Sequence, residues 1–514
     1  MDNKKHNRIV KNSLFLYFRM ILTLVVTLYT SRVVLNVLGV EDFGIYNVVG
    51  GVVTMMAFLS GAMSSATQRF LSFELGKGDV KQLDHVFKMS INIHLLVILI
   101  IVLLAETLGL WFVNAKLVIP VERIPAANWV FHCALFSFCC TVISVPYNAA
   151  IIAYERMSAF AYVSIIDVIL KLVVVTILMK YGDDKLELYA SLLSLVSIII
   201  FFCYYFYVGQ KLPISKFNVY WDAELFRTLF GYTGWNLFGN LAVVMSNQGV
   251  NILLNIFFGA HINAARAIAI QVNGAISGFV GSLQMAINPQ ITKAYAIGDF
   301  KYMHILVYSG ARYTFFLLLF LSLPVFIESK GFLALWLGEV PQYADIFVKL
   351  ILIESGILCL SGTLMTSAQA TGRIKLYQSV VGSIQLLNIP LSFMLLTVYS
   401  NPSVVYYISI SVAIFALMAR LFFLQALIKL DLKEFFKSVI SPLLITTVVS
   451  LLLINYLLSY IDNSLISNSL LLLCVKTVLT LSLTSISILF FGLRKDEVQF
   501  LFDFIKTKIL KIRV

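Results

Sequence analysis

Long apolar runs recur along almost the whole chain, separated by short polar connections. Each run is close to the roughly 20 residues a helix needs to cross a bilayer. The pattern predicts an all-α polytopic membrane protein of about fourteen transmembrane helices, each long enough to span. The predicted spans are 12–38, 43–70, 86–114, 126–153, 158–180, 187–209, 225–258, 261–291, 302–328, 343–370, 375–399, 404–428, 435–459 and 466–491. The longest connection between them, 209–224, is too short for a soluble domain.

Two adjacent spans break the apolar pattern. The seventh carries Asn236, Asn240, Asn247, Asn251 and Asn255, which at 100° per residue fall within an arc of about 100°. The eighth, entered through a tight turn near Gly259, carries Asn263, Arg266, Asn273, Ser277, Gln284 and Asn288, within about 80° by the same geometry. Hydrocarbon offers these groups no hydrogen-bond partner, so both stripes must face protein or water. Asn, Ser and Gly also serve as glue between membrane helices. Two adjacent full-length stripes, one with an arginine, favour the wall of a wet cavity over glue.

Composition agrees with the membrane reading: 60% of the 514 residues are hydrophobic and 12% charged, against about 25% charged in soluble domains. The basic segment before residue 12 runs straight into the first span and reads as no cleavable leader. The six cysteines lie in apolar stretches without metal spacing. His85, His94, His132, His261 and His304, five of the six histidines, likewise show no ligand spacing, and no metal site is expected. With the N-terminus inside, the outer connections hold only Lys116, Arg123, Lys180, Lys185, Lys330 and Lys349, and most of the remaining Lys and Arg fall on the cytoplasmic side. Both termini are therefore expected in the cytoplasm. Topology accounts for the net charge of +12, which needs no nucleic-acid partner. From Arg494 onward Val498, Leu501, Phe502, Ile505, Ile509 and Ile512 recur at helical spacing among lysines, which predicts an amphipathic helix on the inner leaflet.

The chain also repeats. Gly39 and Gly259, Gly78-Asp79 and Gly298-Asp299, and Lys81 and Lys301 are each separated by 220 residues, and Arg156 and Arg373 by 217. An even number of spans per repeat makes it parallel, about an axis along the membrane normal. The repeat predicts two pseudo-symmetric six-helix lobes, 1–215 and 216–430, then two additional transmembrane helices, 431–493, and the tail, 494–514. It also equates the first two spans with the striped pair. The first span carries Asn12, Arg19, Thr23, Thr27 and Thr30 on one face, and the second Asn47, Gly50, Gly51, Thr54, Gly61, Ser65 and Gln68. Four helices, two from each half, thus carry polar or small stripes.

The run Asn12-Ser-Leu-Phe-Leu-Tyr-Phe-Arg19, with Thr30-Ser-Arg-Val-Val-Leu-Asn-Val-Leu-Gly39, Glu41-Asp-Phe-Gly-Ile-Tyr46 and Gln68-Arg-Phe70, resembles the start of bacterial polysaccharide-biosynthesis flippases. These belong to the multidrug/oligosaccharidyl-lipid/polysaccharide exporter superfamily. The resemblance implies two six-helix lobes forming a V. It implies translocation of an undecaprenyl-diphosphate-linked oligosaccharide across the bacterial inner membrane for surface polysaccharide (O-antigen or capsule) assembly. It further implies a cavity lined by cations, to which Arg19 and Arg266 correspond by position. Membrane lipids and other polysaccharide-assembly proteins would be its partners, and a monomer its form.

The residue chemistry is compatible with that substrate. Arginine is always charged and its forked donors match phosphate oxygens. Asn47, Asn236, Asn240, Asn247, Asn251, Asn255, Asn273 and Gln284 are the candidate sugar-binding amides. A membrane potential negative inside favours outward movement of an anion by about 2.3 kcal/mol per charge per 100 mV. No Gly-x-x-x-x-Gly-Lys-Ser/Thr loop is present, which excludes nucleotide hydrolysis by that route. Four further charges are candidates for coupling to H+ or Na+: Asp167 and Lys171, spaced to pair along one helix, and Glu106 and Glu354. No other cofactor is expected. Arg32, Arg312, Arg420 and Lys476 read as snorkelling side chains. Two other classes were weighed. A multidrug or small-molecule extruder of the same superfamily would carry acidic cavity residues, which the four stripes lack. A membrane enzyme acting on lipid-linked sugars would need a large external loop, which is also missing. A non-enzymatic carrier is the expectation.

Overall fold

The computed structural model describes residues 3–54, 57–115, 117, 119–180, 184–214, 220–459 and 469–504. Among them are helices and short connections and no strand. The long helices are α1 Asn3–Thr54, α2 Ala57–Lys77, α3 Val80–Ala115, α4 Ile124–Ala153, α5 Met157–Lys180, α6 Lys185–Lys211, α7 Ala223–Phe258 and α8 Ala260–Ala296. They continue with α9 Phe300–Ile327, α10 Ala344–Ala370, α11 Lys375–Val398, α12 Val404–Ile428, α13 Leu432–Leu458 and α14 Leu470–Gly492, and the tail helix is α15 Lys495–Phe504.

Twelve helices among the described residues are long and apolar enough to cross a membrane. The chain is a multi-pass membrane protein. The two that fall short of that apolarity are α2 and α8, the elements of the predicted second and eighth spans. Their sequences are dominated by Ala, Gly, Ser, Asn and Gln. Such helices gain little by facing lipid and pack through small and polar side chains instead.

Glycine punctuates the chain where the offsets said it would. Gly39 (φ 80°) breaks α1 and Gly259 (φ 81°) separates α7 from α8. Gly78 (φ 77°) and Gly298 (φ 76°) end α2 and α8. Each backbone is left-handed, a conformation open to glycine without steric cost. At the offset of 217, Glu155 (φ 57°) faces its counterpart Gly372 (φ 76°).

The chain forms two compact units. One comprises Met1–Val244, Met285–Asp299 and Gln369–Gly382, and the other the remainder. In the first, α4 is the central helix: it packs against α1, α2, α3 and α6. Val130, Phe131 and Val142 on α4 meet Val49, Ile101 and Leu186 in its core. On the side the sequence places outside, Arg123 grips two carboxylates at once. Its Nε and Nη2 lie 2.9 and 2.6 Å from Asp42, just past the break in α1, and its Nη1 lies 2.5 Å from Asp184. Asp184 also caps α6, accepting the Leu186 and Glu187 N–H groups at 3.0 and 3.2 Å. Arg123 thereby holds the Asp184 carboxyl below its ordinary range.

In the second unit α13 and α14 pack on α9, with Leu319, Leu323 and Ile454 at the contact. Arg312 on α9 does not snorkel, as its sequence position suggested. It is 2% exposed and ion-paired to Glu497 of α15, and the Tyr313 hydroxyl donates to the same carboxylate at 2.8 Å. The first turn of the tail is therefore tied into the bundle. The rest of the expected amphipathic stripe, 505–514, lies outside the described residues.

Truncation after Gly492 strips the carboxylate from a buried arginine, so it should cost about 3–5 kcal/mol and lower the thermal stability of detergent-purified protein. Glu497→Gln should reproduce most of that loss, and an unchanged melting temperature in both variants would refute the tie. Arg123→Ala should destabilise the protein by about 1 kcal/mol at neutral pH. Because the Asp184 carboxyl is depressed, that contribution is present above its unfolded value and lost as pH falls through the folded one. The gap between native and variant melting curves should close below about pH 4.

Candidate functional site

The striped residues fall into three settings. Asn236, 1% exposed, is the centre of a polar knot in the first unit. Its Nδ2 donates to the Ala62 carbonyl at 2.8 Å, and its Oδ1 accepts from Gln369 and Gln378, each at 3.2 Å. Asn240 donates to the Asn236 carbonyl at 3.0 Å. These amides join α2, α7, the end of α10 and the start of α11. Close packing accompanies them, since a Cβ on Gly239 would fall 2.3 Å from the Gln378 Oε1.

In the second unit Asn273 and Gln284 of α8 reach α10. The Ser355 hydroxyl donates to the Asn273 Oδ1 at 2.7 Å, and the Gln284 amide donates to the Cys359 carbonyl at 3.1 Å. Asn247 and Asn255 are exposed and Asn251 is half-buried. Backbone carbonyls of Asn247 and Asn251 accept from Arg266 and Asn263, both at 3.3 Å, which ties α7 to α8 across Gly259. Asn47, on the far side of the break in α1, is exposed and bonded back to the Phe43 carbonyl at 2.7 Å.

The two arginines are held differently from the structural ones. Arg266 is 4% exposed, its guanidinium 5.6 Å from the centre of the Tyr406 ring. Its Nη2 bonds the Asn247 carbonyl, while its Nε is buried without a partner. Arg19 is half-buried over the Phe160 ring at 4.8 Å, and its Nε too is buried and unbonded. Among the described residues neither has a carboxylate within the 4.0 Å of an ion pair. Glu354 on α10 is the carboxylate whose charge acts on Arg266, from beyond that distance. Glu106 is bound to His132 at 3.2 Å, and Asp167 to Lys171 at 2.8 Å.

A cavity of about 510 Å³ opens inside the first unit among α1, α4, α5 and α6. Ser137, Thr141, Ser144, Asn148, Ser197 and Tyr204 line it with the Asp167–Lys171 pair. Tyr204 lies within electrostatic reach of both Arg19 and Asp167. Only one residue of the proposed sugar-binding or cationic set approaches this space, Arg19 through Tyr204. The residues that sequence reasoning missed are Gln369, Gln378, Ser355 and Asn388. Asn388 donates to Ser246 and Ser409 at 3.2 and 2.9 Å. Ser355 and Gln369 lie on α10 and Gln378 and Asn388 on α11, among other scattered polar residues of largely apolar helices. Scattered amides and hydroxyls in a span mark helix–helix bonds as readily as a site.

No family model and no curated protein matches the sequence. Solved structures do match in fold. One is an outward-facing multidrug resistance MATE family transporter of the MOP superfamily, at a TM-score of 0.72 and 12% identity over 83% of this chain and 96% of the other. The chain has the MATE fold. A Vibrio cholerae MATE transporter matches at 0.70 and 16% identity, over 82% of this chain and 98% of the other. A Pyrococcus furiosus MOP superfamily transporter matches at 0.70 and 12% identity over 83% and 96%. It is described as having a binding pocket of reverse polarity that suggests a different function. In this MATE fold, α13, α14 and α15 are packed as an extension on α9.

Replacing Asn236 by Leu should leave the amides of Gln369 and Gln378 short of a buried acceptor, at about 1–3 kcal/mol. Asn255→Leu, at an exposed position, should be close to neutral. Thermal unfolding of both variants in the same detergent checks the contrast, and equal melting temperatures would contradict the assignment of Asn236 as a packing residue.

Proposed function

We propose that this chain is an alternating-access transporter that moves an anionic lipid-linked oligosaccharide, with its diphosphate head, from the inner to the outer leaflet of a bacterial cytoplasmic membrane. The observation that carries the reading is Arg266: a buried cation in a membrane helix with no ion pair among the described residues and a nitrogen left unbonded. An arginine at mid-membrane costs about 2.5–3.5 kcal/mol. Its bond to a backbone carbonyl does not neutralise that charge, whereas Arg312 has Glu497 for the purpose. A cation kept without its counter-ion is suited to an anion that arrives from elsewhere. Arg19, over Phe160, supports the same reading from the first repeat. Guanidinium forks suit a diphosphate, exposed amides such as Asn247 suit sugar hydroxyls, and the membrane potential drives an anion outward. On this reading both termini lie in the cytoplasm, the working form is a monomer, and other polysaccharide-assembly proteins receive the product.

A second reading has its own support. The cavity of about 510 Å³ lies in the size range of small-molecule sites. It contains Asp167 and Lys171, and one similar structure is described as a multidrug resistance transporter. On this reading the protein extrudes a small molecule in exchange for H+ or Na+. The structural likenesses name this class more directly than they name flippases, and the flippase reading rests on this chain's own arginines.

Reconstituted vesicles separate the two. Arg266→Lys keeps a point charge but loses the fork and should retain partial transport of lipid-linked oligosaccharide diphosphate. Arg266→Gln should lose most of it at normal protein levels, and a neutral-headed lipid should not move. Native-rate transport by Arg266→Gln would overturn the diphosphate reading. Small-molecule efflux that depends on Asp167 would establish the second.

A further inference from the structure

Two turns that the repeat makes equivalent, at Glu155 and at Gly372, are each seized by a helix from the opposite repeat. Arg69 of α2 belongs to the first repeat. It donates to the carbonyls of Gln369 and Ala370 at 3.2 and 2.8 Å, at the end of α10 in the second. Its guanidinium lies over Phe70 and Phe73 at 4.5 and 4.6 Å. The Tyr232 hydroxyl donates to the same Gln369 carbonyl at 3.3 Å, and Ser65 of α2 donates to the Gln369 side chain at 3.2 Å. The mirror arrangement is built from different residues. Lys293 and Gln290 of α8, in the second repeat, bind the Glu155 carboxylate of the α4–α5 turn at 2.7 and 3.3 Å. Glu155 is 6% exposed and sits at a positive φ that a glutamate avoids. Asn12, at the start of the first span, donates to its carbonyl at 3.3 Å.

Between the two clamps α2 and α8 touch backbone to backbone. A Cβ on Gly76 would lie 2.8 Å from the Ala296 Cβ and 2.9 Å from the Lys293 Cα. Gly76 and Ala296 are themselves separated by the repeat offset of 220. A residue that meets its own counterpart marks the pseudo-two-fold axis. All of these residues belong to one compact unit. The unit takes in short ends of α8, α10 and α11 while the rest of those helices belong to the other unit.

We propose that the crossed clamps Arg69–Gln369/Ala370 and Lys293–Glu155, closed over the Gly76–Ala296 crossing, are the transporter's gate at the end where the first span begins, the cytoplasmic end in the topology above. The proposal rests on the transporter reading. Each clamp joins one repeat to the other, so parting of the repeats at this end breaks both. Each takes its partner from a turn, which a small rotation of the repeat withdraws. The ion pair and the aromatic stack make the closed state discrete, because withdrawing Lys293 would leave the buried Glu155 carboxylate without its counter-ion and withdrawing Arg69 would cost it both carbonyls.

The test needs no substrate, so it can fail while the transport reading stands, and the reverse. Ser72 lies on α2 between Arg69 and Gly76, is 0% exposed, and its hydroxyl has no partner. Ser72→Cys is therefore a near-isosteric reporter. The full chain in lipid nanodiscs is treated with a membrane-impermeant maleimide, and labelling of the peptide containing position 72 is read by mass spectrometry, which ignores the native cysteines. The reporter alone should label slowly. The combined change Glu155→Gln with Lys293→Met removes both charges of one clamp. It should raise the rate about tenfold or more, as expected where a local opening is made easier. Arg69→Met should do the same at the other clamp, and Gly76→Ala should do it by wedging the crossing without touching a charge. Asp84→Asn with Lys88→Met, an ion pair on α3 in the same unit, should leave the rate unchanged. The gate is overturned if the reporter ignores the Glu155–Lys293 break, or if the α3 control accelerates labelling equally.

Discussion

A polar side chain in a membrane helix must find its partner inside the protein, because hydrocarbon supplies none. Most of the architecture follows from how this chain meets that condition. The amides of Asn236, Gln369 and Gln378 satisfy one another and in doing so join helices from distant parts of the sequence. Asn273 does the same through Ser355, and Asn388 through Ser246 and Ser409. Apolar side chains cannot do this work in lipid, where helix–helix contact brings no hydrophobic gain. The two least apolar long helices, α2 and α8, accordingly meet backbone to backbone at Gly76 and Ala296.

The same condition sorts the cations. Arg312 is satisfied by Glu497 and Tyr313, Arg123 by Asp42 and Asp184, and Arg69 by two carbonyls and an aromatic stack. Each of these is explained by what it holds together. Arg266 and Arg19 are not, since among the described residues neither has a carboxylate within ion-pair distance. The distinction lies in ion pairing rather than burial: Arg312 is more buried than Arg266 and already has its counter-ion.

How much of this was legible in the sequence varied with the range of the interaction. Local features were readable. Gly39 and Gly259 announced breaks because a left-handed turn between two helices suits glycine, and apolar length marked the spans. Partners far apart in the chain were not readable. Nothing near Arg312 points to Glu497, 185 residues on, so snorkelling was the natural expectation and the tail read as a loose interfacial helix. The asparagine stripe on α7 was visible as a stripe, but periodicity shows only which residues share a face. It did not show that Asn236 would be consumed by two glutamines while Asn247 remained exposed. Glu155 was invisible for another reason: a single acidic residue in a short polar turn resembles any solvated loop until its buried partners are seen.

Fold and substrate separate cleanly here. Structures at 12 to 16% identity share this fold over more than four-fifths of the chain, so a fold kept across so much sequence change says little about cargo. What differs between carriers built on one scaffold is the sign and placement of buried charge. A carboxylate left without a cation draws a proton, a metal ion or a basic drug, and an arginine left without a carboxylate draws an anion. In this chain two of the three candidate carboxylates within spans are engaged: Asp167 by Lys171 and Glu106 by His132. Glu354 sits within electrostatic reach of Arg266 without pairing to it. That geometry leaves the arginine without a formed ion pair. An arriving anion would then compete with a distant carboxylate rather than displace a formed ion pair. On the proposed reading, binding would stay shallow enough for the cargo to leave again, which a carrier needs as much as it needs to bind.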